Sequence, residues 1–415
     1  MPSNSVNGLS APLIPRQPCW LEVDLDAVAS NVRALKRLVG PTTALAAVVK
    51  AEAYGLGAAA VARTAIAAGA EWLAVARVEE GVDLRQAGLD VPILNLAYTA
   101  PQEVETSVSY SITPTLVDLL TAQAFSSRVP VGDEFPIHVK LDTGLSRFGA
   151  LPNELPSLLE GLQQLTNLRL EGIYSHFAAA DEADRSFAHE QLHRFHAALD
   201  SIETEAQRPR LLHMSNSAAT LALPNARLDL VRVGITMAGF YPSPDVPRTI
   251  DLQPGASFKA RLARTYDLPA GATVGYGRTF LTQRPTRAAL VPAGYADGLP
   301  RSHSHCGAVL VHGRRAPIIG RVSMDQCVVD ITEIPQASAG DEVVLFGQQG
   351  SESIALDEYA AWSGTIVHET LCRIGSRVPR YYRTAGQLRE VAWLGKVGRL
   401  SENAPDWALV AHSQH

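Results

Sequence analysis

Cysteine is scarce in this sequence, and the four present are Cys19, Cys306, Cys327 and Cys372. They lie far apart, without the close pairs of a zinc site or the density of a disulfide-stabilised secreted domain. We therefore predict reduced thiols in the core or at the surface, and no metal site.

Long apolar runs and basic clusters are also missing. No window approaches the roughly twenty apolar residues of a membrane-spanning helix, and residues 1–18 contain neither the apolar core nor the early basic cluster of a secretory signal. Basic residues are scattered and the formal net charge is −6, which disfavours nucleic acid and an anionic membrane surface as partners. We expect a cytoplasmic protein.

Eight short apolar runs recur in the first part of the sequence, and segments of helical periodicity separate most of them. Such runs are typical of parallel strands that are buried on both faces. An open doubly wound sheet is the competitor, but its glycine-rich fingerprint is absent, which favours a (β/α)8 barrel. The predicted strands are 44–49, 72–75, 93–96, 111–113, 137–141, 168–174, 211–214 and 228–233, and the predicted helices include 58–68, 78–87, 185–204 and one that Asp26 caps and Gly40 ends.

Past Pro242 the pattern changes to short strands without long helices between them. This pattern predicts a second, mostly antiparallel β domain with two helices, at 355–362 and 365–374. The predicted strands are 258–262, 288–291, 308–311, 316–319, 326–331 and 342–346. We expect a tail at 1–18, the barrel at 19–253, the β domain at 254–395 and a tail at 396–415; the strand at 20–25 fits either domain.

Lys50 closes the first predicted barrel strand, directly after a run of small apolar residues. Barrel enzymes place their chemistry at the carboxyl ends of strands. Desolvation there lowers the pKa of an amine towards neutrality, as imine formation with a carbonyl group requires. The plainer interpretation is a lysine whose ammonium group reaches solvent at a strand end.

Further polar residues follow other predicted strands and would meet Lys50 at one barrel mouth. The amides of Gly234 and Ile235, with the Ser217 hydroxyl at a helix start, could bind a phosphate. His176 could stack on a planar ring, and Arg147 and Arg232 could supply positive charge to it. Taken singly, each residue also has a purely structural interpretation. His176 could be a hydrogen-bonded structural residue, the two arginines could form surface ion pairs, and Asn216 and Ser217 could cap a helix.

Several segments, in order, resemble one family. VVKAEAYGLG is similar to the pyridoxal-phosphate lysine segment of the alanine racemase family. The resemblance extends from about Trp20 to Arg380 and is also seen in LDTGLSRFG, SHFAAAD, HMSNSAATL, VRVGI, VGYGRTF, PAGYADG and GRVSMDQ.

The resemblance implies a pyridoxal-phosphate-dependent isomerase that interconverts L- and D-alanine, supplying D-alanine for peptidoglycan. Lys50 would bind the cofactor covalently and act as the base on one face of the substrate, with Tyr276 as the base on the other. The implied cofactor-binding residues are Lys50, Tyr54, His176, Asn216, Ser217, Arg232, Gly234, Ile235 and His368. The implied substrate-binding residues are Arg147, Met324, Tyr295 and Asp325.

The family also implies a homodimer with shared sites, because Lys50 lies in the barrel and Tyr276 in the β domain. Lys140 stands where some members carry a carbamylated lysine that orients the arginine matched by Arg147. An ordinary lysine paired with a carboxylate is the alternative.

Four residues depart from the family pattern: Glu52, Leu56, Ala238 and His368. We expect Glu52 and Leu56 to alter packing beside the lysine, whereas the sequence assigns no effect to Ala238. His368 replaces a tyrosine near the cofactor phosphate and substrate entry, so serine or another small amino acid is an alternative substrate. A decarboxylase of the same architecture and a non-catalytic pyridoxal-phosphate carrier are less favoured alternatives.

Overall fold

The computed structural model describes residues 17–130, 132–200, 202, 209–393, 396–399 and 410–411. These form two compact units. The larger, which we call the barrel unit, comprises residues 24–256 and 364–373. The smaller, the sheet unit, comprises the rest.

The described part of the barrel unit contains nine strands. Strands are numbered in chain order, and the first strand of the chain belongs to the sheet unit. The nine barrel strands are β2 (Ala44–Val48), β3 (Trp72–Val75), β4 (Ile93–Asn95), β5 (Ile112–Thr113), β6 (Thr115–Leu116), β7 (Phe135–Lys140), β8 (Leu168–Tyr174), β9 (Leu211–His213) and β10 (Leu230–Val233). Its helices are α1 (Leu25–Val39), α2 (Lys50–Gly55), α3 (Ala58–Ala67), α4 (Val78–Gln86), α5 (Val104–Ser109), α6 (Leu119–Ser126), α7 (Leu155–Gln163), α8 (Ser186–Leu199), α9 (Ser217–Ala222) and, numbered after a helix of the sheet unit, α11 (Val367–Cys372).

The barrel strands pair in parallel in the orders β10-β2-β3-β4-β5 and β6-β7-β8-β9. Pro114 separates β5 from β6, so the two form one interrupted strand and the barrel has eight strand positions. Between β9 and β10, the Asp229 N–H donates to the Leu212 carbonyl at 3.0 Å and the Arg232 N–H to the Ser215 carbonyl at 2.9 Å, which closes the ring. The predicted barrel is confirmed.

The predicted barrel elements need three corrections. Asp24, and not Asp26, caps α1, since the Asp24 carboxylate accepts from the Ala27 N–H at 3.0 Å. The strand predicted at 111–113 continues past Pro114 to Leu116, because a proline removes one N–H but leaves the extended backbone intact. The helix predicted to Thr204 ends at Leu199, and residues 203–204 lie outside the described part.

The sheet unit is built on one large, mostly antiparallel sheet, as predicted. Its order is β12-β15-β18-β17-β16-β19-β11-β1-β21-β22-β23-β24, with β20 on β19 and a separate β13-β14 pair. The strands are β1 (Cys19–Asp24), β11 (Ala256–Arg261), β12 (Arg264–Leu268), β13 (Thr273–Val274), β14 (Phe280–Leu281), β15 (Thr286–Val291), β16 (Ala308–Val311), β17 (Arg314–Ile319), β18 (Cys327–Asp330), β19 (Glu342–Gln349), β20 (Glu352–Ile354), β21 (Arg380–Thr384), β22 (Gln387–Trp393), β23 (Lys396–Arg399) and β24 (Val410–Ala411), and the unit's helix is α10 (Leu356–Ala361).

The burial pattern along the strands shows how the two units differ. Along β11 every second residue is buried, the signature of a sheet with one face on a core and one outside. The barrel strands β3 and β10 are instead buried at every residue. Among the helices that the structure describes, none is both long and apolar enough to cross a membrane.

Replacing Asp24 with alanine should lower the free energy of unfolding by about 1 kcal/mol, because the first turn of α1 loses its side-chain acceptor. Asp24→Asn is the matched control, since asparagine caps as well as aspartate, and it should stay near wild type. Urea unfolding at fixed protein concentration measures both. Equal losses in the two variants would show that the cap does not stabilise α1.

Candidate active site at the carboxyl ends of the barrel strands

Lys50 begins a turn of unusual handedness. Residues 51–54 all have left-handed dihedrals, with φ between 50° and 59°. A left-handed turn costs an L-residue roughly 1–2 kcal/mol, and such strain persists only where surrounding contacts enforce it. Glu80 supplies one of these contacts by accepting from the Ala51 N–H at 2.6 Å, and Glu52 another by accepting from the Ala58 N–H at 3.0 Å.

The turn directs Tyr54 towards the backbone that follows β10. A Cβ atom on Gly234 would lie 2.2 Å from the Tyr54 hydroxyl and 2.7 Å from its ring, so only glycine leaves room for the tyrosine. Burial raises the pKa of Tyr54, and the nearby Cys372 raises it further. The phenol therefore remains protonated at neutral pH and can donate a hydrogen bond.

Several hydrogen-bonding groups gather beside Gly234. The Gly234 N–H donates to the Ser217 hydroxyl at 3.0 Å, and the Asn216 side chain caps α9 by accepting from the Ala219 N–H at 3.0 Å. In the described part of the chain, the amide of the buried Ile235 and the Tyr54 hydroxyl have no hydrogen-bond partner. These unpaired donors suit an anion such as phosphate.

His368 comes from α11, far along the sequence, but lies in the barrel unit. Its ring centroid is 5.9 Å from that of Tyr54. Its Nδ1 atom is buried without a partner among the described residues, and burial lowers the pKa of His368 below its ordinary value. A buried nitrogen of this kind is a further polar group for a ligand at this mouth.

Arg232 carries the most deeply buried charge of the site, with only 3% of the residue exposed. Its guanidinium donates to the Ser175 and Met214 carbonyls at 2.9 and 3.1 Å and to Nδ1 of His213 at 2.7 Å. Nδ1 of His176 is 3.3 Å away. Burial lowers the pKa of Arg232 to about 10, so the group stays charged at neutral pH.

Two lysines near Arg232 have weakened basicity. Burial lowers the pKa of Lys50, and the charge of Arg147 lowers it further. Burial, with Arg232 and Arg147, lowers the pKa of Lys140 to about 8. Burial and Arg232 also hold the pKa of His176 well below its ordinary value, so this ring is neutral. The mouth is therefore rich in positive charge, and both of its lysines lose their protons more readily than surface lysines do.

Arg147 itself is exposed at the end of a loop after β7. Asp142 organises that loop, since its carboxylate accepts from the N–H groups of Gly144 at 2.9 Å, Ser146 at 3.0 Å and Arg147 at 3.1 Å. The LDTGLSRFG segment thus fixes where the Arg147 side chain starts.

The remaining predicted residues lie in the sheet unit. Tyr276 is 72% exposed, Met324 52% and Tyr295 44%. Arg377 holds Asp297 and Asp325 together, with nitrogen-oxygen distances of 2.7 Å to each. The structure therefore places ten of the predicted residues in the barrel unit (Lys50, Tyr54, Arg147, His176, Asn216, Ser217, Arg232, Gly234, Ile235, His368) and four in the sheet unit (Tyr276, Tyr295, Met324, Asp325).

Sequence reasoning missed the packing behind Arg232. Tyr174 stacks on His213 with ring centroids 4.6 Å apart, and the Arg232 guanidinium lies 5.0 Å from the Tyr174 ring. Gln191, fully buried on α8, donates to the His176 carbonyl at 3.1 Å. The available signal was the presence of polar residues inside otherwise apolar segments, such as His138 within 135–140.

Comparison with known proteins agrees with the fold and the motifs. Residues 23–242 match the family model for the alanine racemase N-terminal domain, and residues 256–382 match the model for its C-terminal domain. The alanine racemase of Desulfovibrio desulfuricans is 43% identical over 367 residues, which cover 88% of this chain and 98% of the relative.

Solved structures agree as well. An alanine racemase from Clostridium difficile superposes with a TM-score of 0.86 at 35% identity, covering 92% of this chain and all of the other. The alanine racemase of Bartonella henselae, solved with covalently bound pyridoxal phosphate, has a TM-score of 0.80 at 30% identity and covers 88% of this chain and all of its own.

The two domains and the lysine at the strand end define the class, a barrel enzyme with a C-terminal β domain. The chain belongs to the alanine racemase family, whose members are pyridoxal-phosphate-dependent amino-acid isomerases. The predicted family and enzyme class are confirmed.

Gly234→Ala should cost about 1–3 kcal/mol of stability, because its methyl group would overlap Tyr54. In a Tyr54→Ala background the same substitution should cost less than about 1 kcal/mol, since the ring is gone. Urea unfolding of the four proteins gives the coupling energy. Additive losses would contradict the packing of Tyr54 against Gly234.

Proposed function

We propose that this protein interconverts L- and D-alanine with pyridoxal phosphate bound to Lys50. The observation that carries the proposal is the mouth itself: a lysine with a lowered pKa among cations, beside unpaired donors around Gly234. These residues fit the cofactor, because its phosphate is an anion and its aldehyde reacts with a neutral amine. The covalently bound cofactor of the Bartonella henselae relative supports the assignment.

The phosphate would be held by Tyr54, Ser217, the amide of Ile235 and His368. Gly234 would orient the Ser217 hydroxyl, to which its amide donates. His176, which is neutral, would lie against the ring, with Asn216 nearby. When bound, pyridoxal phosphate withdraws electrons from the substrate Cα and makes its proton removable.

Racemisation requires a proton to leave one face of Cα and another to arrive on the opposite face. Lys50 would exchange the proton on one face, for which its lowered pKa is suited, because a neutral amine is the form that accepts a proton. Tyr276 of the partner subunit would exchange the proton on the other. With one base on each side, the substrate does not have to reorient between the two proton transfers.

Arg232 would face the pyridine nitrogen, and Arg147 the phenolic oxygen of the cofactor. With a pKa of about 10, Arg232 holds its proton at neutral pH. Arg232 would then donate a hydrogen bond to the ring nitrogen and keep its own proton, which favours return of the proton to Cα over transamination. Met324, Tyr295 and Asp325 would line the substrate entry.

The exposure of Tyr276 supports a homodimer with shared sites, since a catalytic phenol that is 72% exposed in the single chain needs a partner surface. Because both Tyr276 and Met324 lie in the sheet unit, the partner's sheet unit would complete each barrel mouth.

Mixed subunits test this arrangement. Lys50→Ala and Tyr276→Phe should each lower kcat on the order of 10²–10⁴-fold, as loss of an acid-base group does. After the two are unfolded and refolded together, about half of the dimers are mixed and each has one intact site, so about a quarter of wild-type activity should return. Each variant refolded alone is the control. No recovery in the mixture would exclude shared sites.

His368 would influence which amino acid is accepted, because it lies beside Tyr54 with a buried nitrogen that has no partner among the described residues. His368→Tyr should raise the ratio of kcat/KM for alanine over serine by about 10-fold, since the larger ring leaves less room for a side-chain hydroxyl. His368→Asn, which is small, should not raise it. A ratio unchanged in the tyrosine variant would end this explanation of substrate breadth.

Lys140 is suited to carbamylation. Its ammonium nitrogen lies over the Phe148 and Tyr174 rings at 5.3 and 5.6 Å, and within the described ranges no carboxylate forms an ion pair with it. With a pKa of about 8, the neutral amine that attacks carbon dioxide is abundant near pH 8 and scarce below pH 7.

Carbamate on Lys140 should therefore form as the pH rises from 7 to 8.5 in bicarbonate, placing a negative charge near Arg147. Carbon NMR with labelled bicarbonate measures it, and Lys140→Ala is the control that removes the signal. A spectrum without a carbamate signal across this pH range would leave Lys140 an ordinary lysine.

The two other activities are weaker candidates. A cofactor carrier would not explain residues 256–382, which match the C-terminal domain model. A decarboxylase would release carbon dioxide from an amino acid, whereas a racemase abolishes optical rotation without consuming alanine. A cytoplasmic role in peptidoglycan synthesis stays a prediction from the sequence.

A further inference from the structure

Behind Arg232, away from the mouth, Glu171, His138 and His213 form a line of hydrogen-bonding groups. Nδ1 of His213 accepts from Arg232 at 2.7 Å, and Nε2 of His213 lies 2.9 Å from Nδ1 of His138. Nε2 of His138 is 3.8 Å from a carboxylate oxygen of Glu171. Both histidines are fully buried.

The hydrogen bonds determine where each proton lies. A guanidinium group donates and cannot accept, so Nδ1 of His213 must be unprotonated. Burial and the nearby Arg232 hold the pKa of His213 well below its ordinary value, so the ring is neutral and carries its single proton on Nε2. That proton is donated to Nδ1 of His138, which leaves the proton of His138 on Nε2, facing Glu171.

Glu171 is suited to end this line as an ion. The neighbouring His138 holds the pKa of Glu171 below its ordinary value. Its other oxygen lies 3.3 Å from Arg169, so the remaining oxygen faces His138. Within the described part of the chain, Nε2 of His138 has no partner at hydrogen-bond distance, and a shift below 1 Å by the Glu171 side chain would supply one.

The backbone is built around this line. A bulge places Glu171 without a partner on β7, between the pairs Ile137-Leu170 and His138-Gly172. A Cβ atom on Gly172 would lie 2.5 Å from the His138 ring, so glycine is needed there. Bulges commonly redirect a side chain near a functional site.

We propose that Glu171 and His138 are positioning residues that fix the acceptor tautomer of His213 and thereby the orientation of the Arg232 guanidinium. The inference rests on the proposed function in that Arg232 faces the cofactor ring. Neither residue touches the substrate. The alternative is that Glu171 only pairs with Arg169 at the strand surface.

Glu171→Gln tests the inference. A carboxamide can present either an oxygen or an N–H group to His138, so both directions of the hydrogen-bond line become possible. In the reversed direction Nδ1 of His213 would carry a proton towards Arg232. Glu134→Gln is the matched control, because Glu134 lies 3.9 Å from the same Arg169 but is 68% exposed.

The first readout is the imidazole nitrogen NMR spectrum of cofactor-free protein with isotope-labelled histidine, assigned with His138→Gln and His213→Gln. Wild type and Glu134→Gln should show both buried rings neutral and protonated on Nε2, and Glu171→Gln should show a mixture of tautomers. A proton on Nδ1 of His213, or a charged ring, in wild type would overturn the proposal.

The second readout is kinetic and uses protein loaded with pyridoxal phosphate. Glu171→Gln should lower kcat for alanine about 10-fold, as loss of a supporting hydrogen bond does, with KM and the Glu134→Gln kinetics near wild type. Equal kinetics and spectra in the two variants would refute a positioning role. If Glu171→Gln does not fold, the wild-type spectrum still decides the proposal, since a proton on Nδ1 of His213 overturns it. If wild type binds no cofactor, the proposed function fails, and the tautomer claim is decided by the spectra alone.

Discussion

A buried positive charge without an acidic partner is the constraint on which this site depends. Arg232 is fully enclosed, and no carboxylate among the described residues pairs with it. Burying an unpaired ion is costly, so its donors must be matched by acceptors. Two carbonyls and two histidines supply them. With Lys50 and Lys140 nearby, the mouth carries an excess of positive charge that an anionic ligand would balance.

Burial and that excess together explain the altered basicity of the site. Burial lowers the pKa of Lys50 and Lys140, and the charges of Arg147 and Arg232 lower it further, so both lysines hold their protons less tightly than surface lysines. A neutral amine is what both imine formation and proton abstraction require. Charges that would be unfavourable in a structural core therefore support the chemistry that we propose for the strand ends.

Much of this was predictable from sequence. The barrel strands appear as apolar runs because parallel strands are buried on both faces, and residues that follow them lie at one mouth by topology alone. Lys50, His176 and Arg232 could thus be placed near each other without coordinates. The motifs around them identified the family, which the comparisons confirm.

Other features depend on tertiary contacts that local sequence does not record. Ala51, Glu52 and Ala53 favour a right-handed helix, and only contacts such as that with Glu80 enforce their left-handed turn. The bulge at Glu171 arises from pairing with β7, and Asp24 rather than Asp26 caps α1 because the strand runs directly into the helix. The measurement that tests the account most directly is borohydride reduction of the protein with pyridoxal phosphate, followed by peptide mapping. The account predicts the label on Lys50, and a label confined to any other lysine would contradict it.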